Sequence, residues 1–162
     1  MTDAFDRQDR LILHHLQADA RMPITTLADR VGLSANATGE RLRRLRQTGV
    51  ITGYHARLSP QALGRGLTAF VEVKLERTDA DVFAAFASAI RDATDIEECH
   101  MVAGGFDYLL KTRHRDMTAY RVFLSDTLLR LPGVRETHTY PVMEELRADL
   151  GPIVARPGQP SG

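Results

Sequence analysis

The segment LADRVGLSANATGERLRRLRQTGVITG (residues 27–53) reads as two short helices joined at a tight turn, with four arginines on the second. Leu27, Ala28 and Val31 give the first helix an apolar face. Gly32 interrupts it, because glycine is the cheapest residue for the left-handed backbone of such a turn. Leu33 packs back and Ser34 is a good N-cap for the second helix. At about 100° per residue, Ala35, Thr38, Leu42 and Leu45 share one face of that helix. Asn36, Ala37, Glu40, Arg43, Arg44 and Gln47 share the opposite one. Gly49 closes the helix, and Val50-Ile51 are expected to begin a strand. Turn glycine, cap, apolar stripe and arginine cluster in one register describe a helix-turn-helix whose second helix enters the major groove of double-stranded DNA.

The totals narrow the rest. Apolar residues make up 43% of the 162 residues, enough for a core in each of two small units. No run is apolar and long enough to span a membrane, and the N-terminus lacks a signal-peptide pattern, so the expected compartment is the cytoplasm. The single cysteine, Cys99, excludes an intramolecular disulfide and is expected to be a small buried apolar residue. The net charge of zero hides an asymmetry: residues 1–66 hold ten basic against six acidic residues, residues 67–162 eleven against fifteen. A basic half joined to an acidic half suggests that one meets nucleic acid and the other does something else.

Outward from the helix-turn-helix, a first helix begins at Asp6 with Ile12, Leu13 and Leu16 as its buried stripe, and Pro23 sits where a helix can start. Residues 1–58 are thus a three-helix DNA-binding domain, ending in an extended stretch over 50–58. Residues 59–66, with Pro60, Gly64 and Gly66, are the expected linker. Periodicity then changes. LTAFVEVKLE (67–76) alternates as a half-buried strand, and DADVFAAFASAIRDA (79–93) is an amphipathic helix. IEECHMVAG (96–104) and FDYLLKTR (106–113) form a hairpin across Gly104-Gly105, and 116–131 is a second helix stopped by Pro132-Gly133. The last strand, 134–146, contains Pro141 and should therefore lie at an edge or carry a bulge. The order βαββαβ over 67–148 is ferredoxin-like, one antiparallel sheet with helices on one face, so the chain is α+β. Residues 149–162 are expected to be a flexible tail rich in Pro and Gly. The uncovered sheet face must be wet or meet another copy.

Several of these segments together resemble the Lrp/AsnC (feast/famine) regulators, and within that family its leucine-responsive branch. The resemblance runs from about Asp6 to Leu150. It is carried by DRQDRLILHHLQADAR (6–21), by LADRVGLS, ERLRRL and GVITGY within 27–54, by ECHMVAGGFDYLLKTR (98–113) and by TLLRLPGVRETHTYPVMEEL (127–146). It implies an N-terminal unit that binds DNA and a C-terminal unit that binds an amino-acid effector, leucine or another. It also implies homodimers through the sheets that assemble to tetramers or octamers, with effector sites near Gly104 to Asp107. Three positions depart from the family pattern: Pro23 in place of a hydroxyl cap, Gly39 inside the recognition helix, and Arg46 where Glu is frequent.

The residues expected at DNA are Ser34, Asn36, Ala37, Thr38, Glu40, Arg41, Arg43 and Arg44. Arg41 and Arg44, one turn apart, are the expected clasp on phosphate or a guanine edge. By composition alone, Gly104-Gly105 reads first as a plain hairpin turn with Asp107 as its cap. The resemblance turns that reading to an effector site of Val102, Gly104, Gly105, Phe106, Asp107 and Tyr108, with Tyr140 and Met143 as an apolar wall. There the glycines would admit a carboxylate to backbone N–H groups, and Asp107 would pair with an α-ammonium. None of the six histidines stands in a metal-ligand spacing, and no nucleotide-binding or nucleophile motif is present, so no cofactor, metal or catalytic residue is expected. An alternative stays open on the layout alone: enzymes that decarboxylate a sirohaem-type tetrapyrrole share this two-part plan. The arginine-rich helix and the sequence around Gly105 argue for the regulator.

Overall fold

Asp6 and Asp9 stand three residues apart and close the first helix reciprocally. The Asp6 carboxylate accepts from the Asp9 N–H at 2.9 Å, and the Asp9 carboxylate accepts from the Asp6 N–H at 3.3 Å. The computed structural model describes residues 5–146 and 154. These fall into two compact units, one reaching Arg57 and taking in Val154, the other beginning at Leu58.

The first unit has three helices, α1 (Arg7–Ala18), α2 (Ile24–Val31) and α3 (Ala35–Gln47). Gly32 ends α2 at φ 69°, the left-handed conformation that favours glycine, and Ser34 caps α3 by accepting from the Ala37 N–H. Ile12, Leu27 and Leu45 meet in a core at 1% exposure or less, with Leu11 and Val31 around them. Burial of each such side chain stabilises by about 2 kcal/mol. The strand expected over 50–58 does not form. The backbone N–H groups of Val50 and Ile51 both turn back to the Leu45 carbonyl, and among the described residues of this unit no strand is present to pair with. The tail expected over 149–162 lies outside the described residues except for Val154. Its carbonyl lies 2.9 Å from Nδ1 of His14, and its N–H donates to Gln17 Oε1 at 2.7 Å.

The second unit is β1 (Leu67–Leu75), α4 (Ala80–Asp92), β2 (Ile96–Met101), β3 (Tyr108–His114), α5 (Met117–Asp126), a 3₁₀ turn (Leu128–Arg130) and β4 (Val134–Pro141). Each strand pair is antiparallel and the sheet order is β2-β3-β1-β4, the ferredoxin-like arrangement. The helix expected over 116–131 stops at Asp126 and tightens into the 3₁₀ turn, and the strand expected to 146 ends at the edge with Pro141. Ala69, Val71, Val73 and Leu75 of β1 face the helices, with Leu110 and Tyr108 of β3 beside them. Phe86 of α4 is fully buried and stacks on Tyr108, ring centroids 4.4 Å apart. Alternation sends Phe70, Glu72 and Lys74 of β1 to the other face. There they register with Tyr140, His138 and Glu136 of β4. Among the described residues no helix packs on that face.

Candidate DNA-binding surface and ligand site

α3 is presented by its cap and by the stripe Thr38, Leu42 and Leu45 against the core. Asn36 and Glu40 point outward and are exposed, Ala37 is partly exposed, and Ser34 is spent on its cap. Thr38 is wholly buried and donates to the Ser34 carbonyl at 3.0 Å, so the base contact expected of it is not available. Gly39 lies against α2: a Cβ there would stand 3.3 Å from Ile24 Cδ1.

The arginines divide. Arg43 is exposed and reaches Glu40 at 2.5 Å and Gln47 at 3.3 Å. Exposed pairs of this kind contribute about 0.2–1 kcal/mol and exchange partners easily. Arg41 and Arg44, expected as a phosphate clasp, turn to α1 instead. Arg41 donates to Asp9 at 2.9 Å and to Asp6 at 2.5 Å, and Arg44 donates to Asp9 at 2.5 Å. Asp9 is 1% exposed, and an aspartate buried there needs its cations. The Asp9 N–H, and after it Arg41, hold the Asp6 carboxyl below the usual range. The two carboxylates push the Arg41 guanidinium up.

In the second unit the hairpin closes with the Val102 N–H donating to the Asp107 carbonyl at 3.0 Å, leaving 103–106 as its loop. Asp107 is anchored to β1 twice. Its N–H donates to the Val73 carbonyl at 3.0 Å, and its carboxylate Oδ2 accepts from the Leu75 N–H at 2.7 Å. Within the subunit the Asp107 side chain therefore ties the start of β3 to the end of β1 and makes no cap across the β2–β3 hairpin. Gly104 and Gly105 both have negative φ, and a Cβ on either would meet nothing within 4 Å. Neither backbone conformation nor packing inside this subunit calls for glycine there.

The register separates the other expected effector residues. Tyr108 is in the core, 6% exposed, because it points to the helix side, and burial pushes its hydroxyl up. Tyr140 pairs with Phe70, five residues along β1 from Leu75, which at about 3.3 Å per residue puts it at the far end of the sheet from Asp107. Met143 is fully exposed beyond the end of β4. Gly105 and Phe106 instead border a pocket of about 270 Å³ with Glu72, Lys74, Glu136 and His138. These four polar residues escaped the sequence reading. The alternation of β1 and an antiparallel β4 would have found them had the strand pairing been worked through. Cys99 is half-buried on the helix side and burial pushes its thiol up. Among the described residues no group of three His, Cys, Asp or Glu side chains could hold a metal, and no helix is long and apolar enough to cross a membrane.

A helix-turn-helix with exposed arginines on its second helix, followed by a ferredoxin-like domain with a glycine-lined loop, fits one class best: DNA-binding regulators of transcription with a separate ligand-binding domain. Comparison with known proteins narrows it. Residues 5–46 match the AsnC-type helix-turn-helix domain, and residues 68–151 match the Lrp/AsnC ligand binding domain. The chain is 54% identical over 142 residues to the leucine-responsive regulatory protein of Klebsiella pneumoniae, covering 88% of this chain and 87% of that one. It is 53% identical, with the same coverage, to the protein of that name in Escherichia coli K12. Among solved structures, a transcriptional regulator of Neisseria meningitidis in complex with L-methionine superposes with a TM-score of 0.86 at 34% identity, over 90% of this chain and 94% of that one. The chain belongs to the Lrp/AsnC family of transcription regulators.

Proposed function

We propose that this regulator binds operator DNA through α3 and that its DNA affinity or its assembly answers to an apolar amino acid held at the 103–106 loop. Glycines at 104 and 105 that nothing in the subunit requires carry the reading, because they leave room for another molecule to approach the backbone. Relatives named for their response to leucine, and a related regulator solved with L-methionine, support an apolar amino acid. On the DNA side, Asn36, Ala37, Glu40 and Arg43 face outward from α3 for base edges and phosphates.

The helix-free sheet face supports a homodimer that assembles further to a tetramer or octamer. Phe70 and Tyr140 are exposed there, next in register to the Glu72–His138 and Lys74–Glu136 pairs. Two copies also double the DNA sequence read. In this reading the protein works in the cytoplasm and catalyses no reaction.

A thermal-shift screen of the full chain against the twenty amino acids tests the ligand. A molecule that binds only the folded state raises its melting temperature. The expected result is a shift with one or a few apolar amino acids. A flat screen at millimolar concentration would remove the amino-acid site.

A further inference from the structure

The arginines of α3 sort into two pairs by what they face. Arg41 and Arg44 meet Asp9, whose two carboxylate oxygens are both taken: Oδ1 by Arg41, Oδ2 by Arg44 and by the Asp6 N–H. Asp6 adds a second carboxylate to Arg41. Two acids therefore stand against two guanidinium groups, and the cluster is locally neutral. Asp9 is at 1% exposure, so a phosphate that drew Arg41 and Arg44 away would strand a carboxylate in a low dielectric.

Arg43 and Arg46 are placed differently. Both are exposed, as Arg44 also is, but among the described residues neither meets an acid of another helix, and with Thr52 and Tyr54 they line a groove of about 530 Å³ at the C-terminal end of α3. The acid that Arg43 meets, Glu40, lies exposed on the same helix, a partner that a phosphate readily replaces. Among the described residues no ion pair involves Arg46. Hydroxyls such as those of Thr52 and Tyr54 are ordinary partners of DNA phosphate oxygens.

Resting on the reading of this unit as DNA-binding, we propose that Asp9 is an internal counter-ion that withholds Arg41 and Arg44 from DNA. Arg43 and Arg46, with Thr52 and Tyr54, then hold the phosphate backbone at the end of the recognition helix. Asp9 acts here as a positioning residue, and its effect on DNA runs through the arginines it retains.

Salt dependence of binding counts the contacts, because each phosphate neutralised contributes about 0.9 to the slope of log K against log salt. The full chain is titrated onto a non-specific duplex of roughly 30 base pairs, followed by fluorescence anisotropy between about 50 and 200 mM salt. Arg43→Gln and Arg46→Gln should each flatten the slope by about 0.9 per bound protomer and leave the melting temperature unchanged. Arg41→Gln and Arg44→Gln should lower the melting temperature and leave the slope unchanged. Asp9→Asn should steepen the slope while lowering the melting temperature, which a merely structural aspartate would not do. The arginine variants keep the test decisive if Asp9→Asn fails to fold. A flattened slope in Arg41→Gln and Arg44→Gln, with Arg43→Gln and Arg46→Gln unaltered, overturns the proposal. Failure of the unmodified chain to bind the duplex at the lowest salt overturns the DNA-binding reading itself.

Discussion

The carboxylate of Asp107 accepts the backbone N–H of Leu75 at 2.7 Å, joining the start of β3 to the end of β1 beside the glycine loop. Leu75 is 3% exposed, so its N–H has no water to turn to. Asp107→Ala should therefore destabilise the second unit by about 1–3 kcal/mol, the cost of an unmet buried donor. Asp107→Asn, which keeps an acceptor oxygen, should cost less than Asp107→Ala. Urea unfolding of the three proteins measures this, and equal stability of Asp107→Ala and the unmodified chain would remove the bond from the account.

The glycine loop next to it should respond in the opposite way. A Cβ at Gly104 or Gly105 meets nothing in the subunit and needs no strained backbone. Gly105→Ala should leave the unliganded melting temperature within about a degree or two, since substitutions at open surface sites stay within roughly 0.5 kcal/mol. The amino-acid-induced shift should shrink. An undiminished shift would mean that the ligand does not approach this loop.

His114 predicts a pH effect. It is 4% exposed, packed against Tyr120 and Phe123, and its Nε2 is buried with no hydrogen-bond partner. Burial lowers its pKa in the folded protein, Asp95 opposes that and Arg65 adds to it. The unfolded chain then takes up a proton on His114 before the folded one does. Stability should be fully present above the ordinary histidine value of about 6.5 and fall as pH drops below it toward the lowered folded value. His114→Leu should flatten that part of the curve, read as melting temperature against pH. The same slope with and without the histidine would contradict its buried neutral state.

Gly39 is a stability defect in a helix interior. Gly39→Ala should add up to about 1 kcal/mol through helix propensity. The new methyl meets Ile24 Cδ1 at 3.3 Å, and that side chain is 42% exposed and has room to yield. A raised melting temperature with unchanged affinity for non-specific DNA is expected. A lower melting temperature would show that Ile24 cannot move.

What the sequence shows of this protein is whatever depends on neighbours along the chain. Gly32, Ser34 and the stripe through Leu42 and Leu45 define the helix-turn-helix because caps and periodicity are local signals. The alternation of β1 and the order of strands and helices define the ferredoxin-like unit in the same way. What the sequence leaves hidden involves distance along the chain. Asp9 and Arg44 are 35 residues apart, so nothing in the helix pattern marks Arg44 as the partner of a buried carboxylate. Tyr140 sits on the expected strand, but the antiparallel register carries it to the wrong end of the sheet for the glycine loop and brings His138 and Glu136 there instead. Residues 50–58 look extended by composition but form no strand, because a strand also needs a neighbouring strand.

In the proposed function an amino acid bound by the second unit changes DNA binding by the first. By linkage, such an effector must bind the free and DNA-bound assemblies with different affinity. The direct measurement is the dissociation constant of the full chain for a duplex that it selects from a randomised pool, taken at one salt concentration with and without each amino acid. One or a few apolar amino acids should shift it about five-fold or more, a typical coupling of about 1 kcal/mol or above. The same dissociation constant and the same oligomeric state in the presence of all twenty would contradict it.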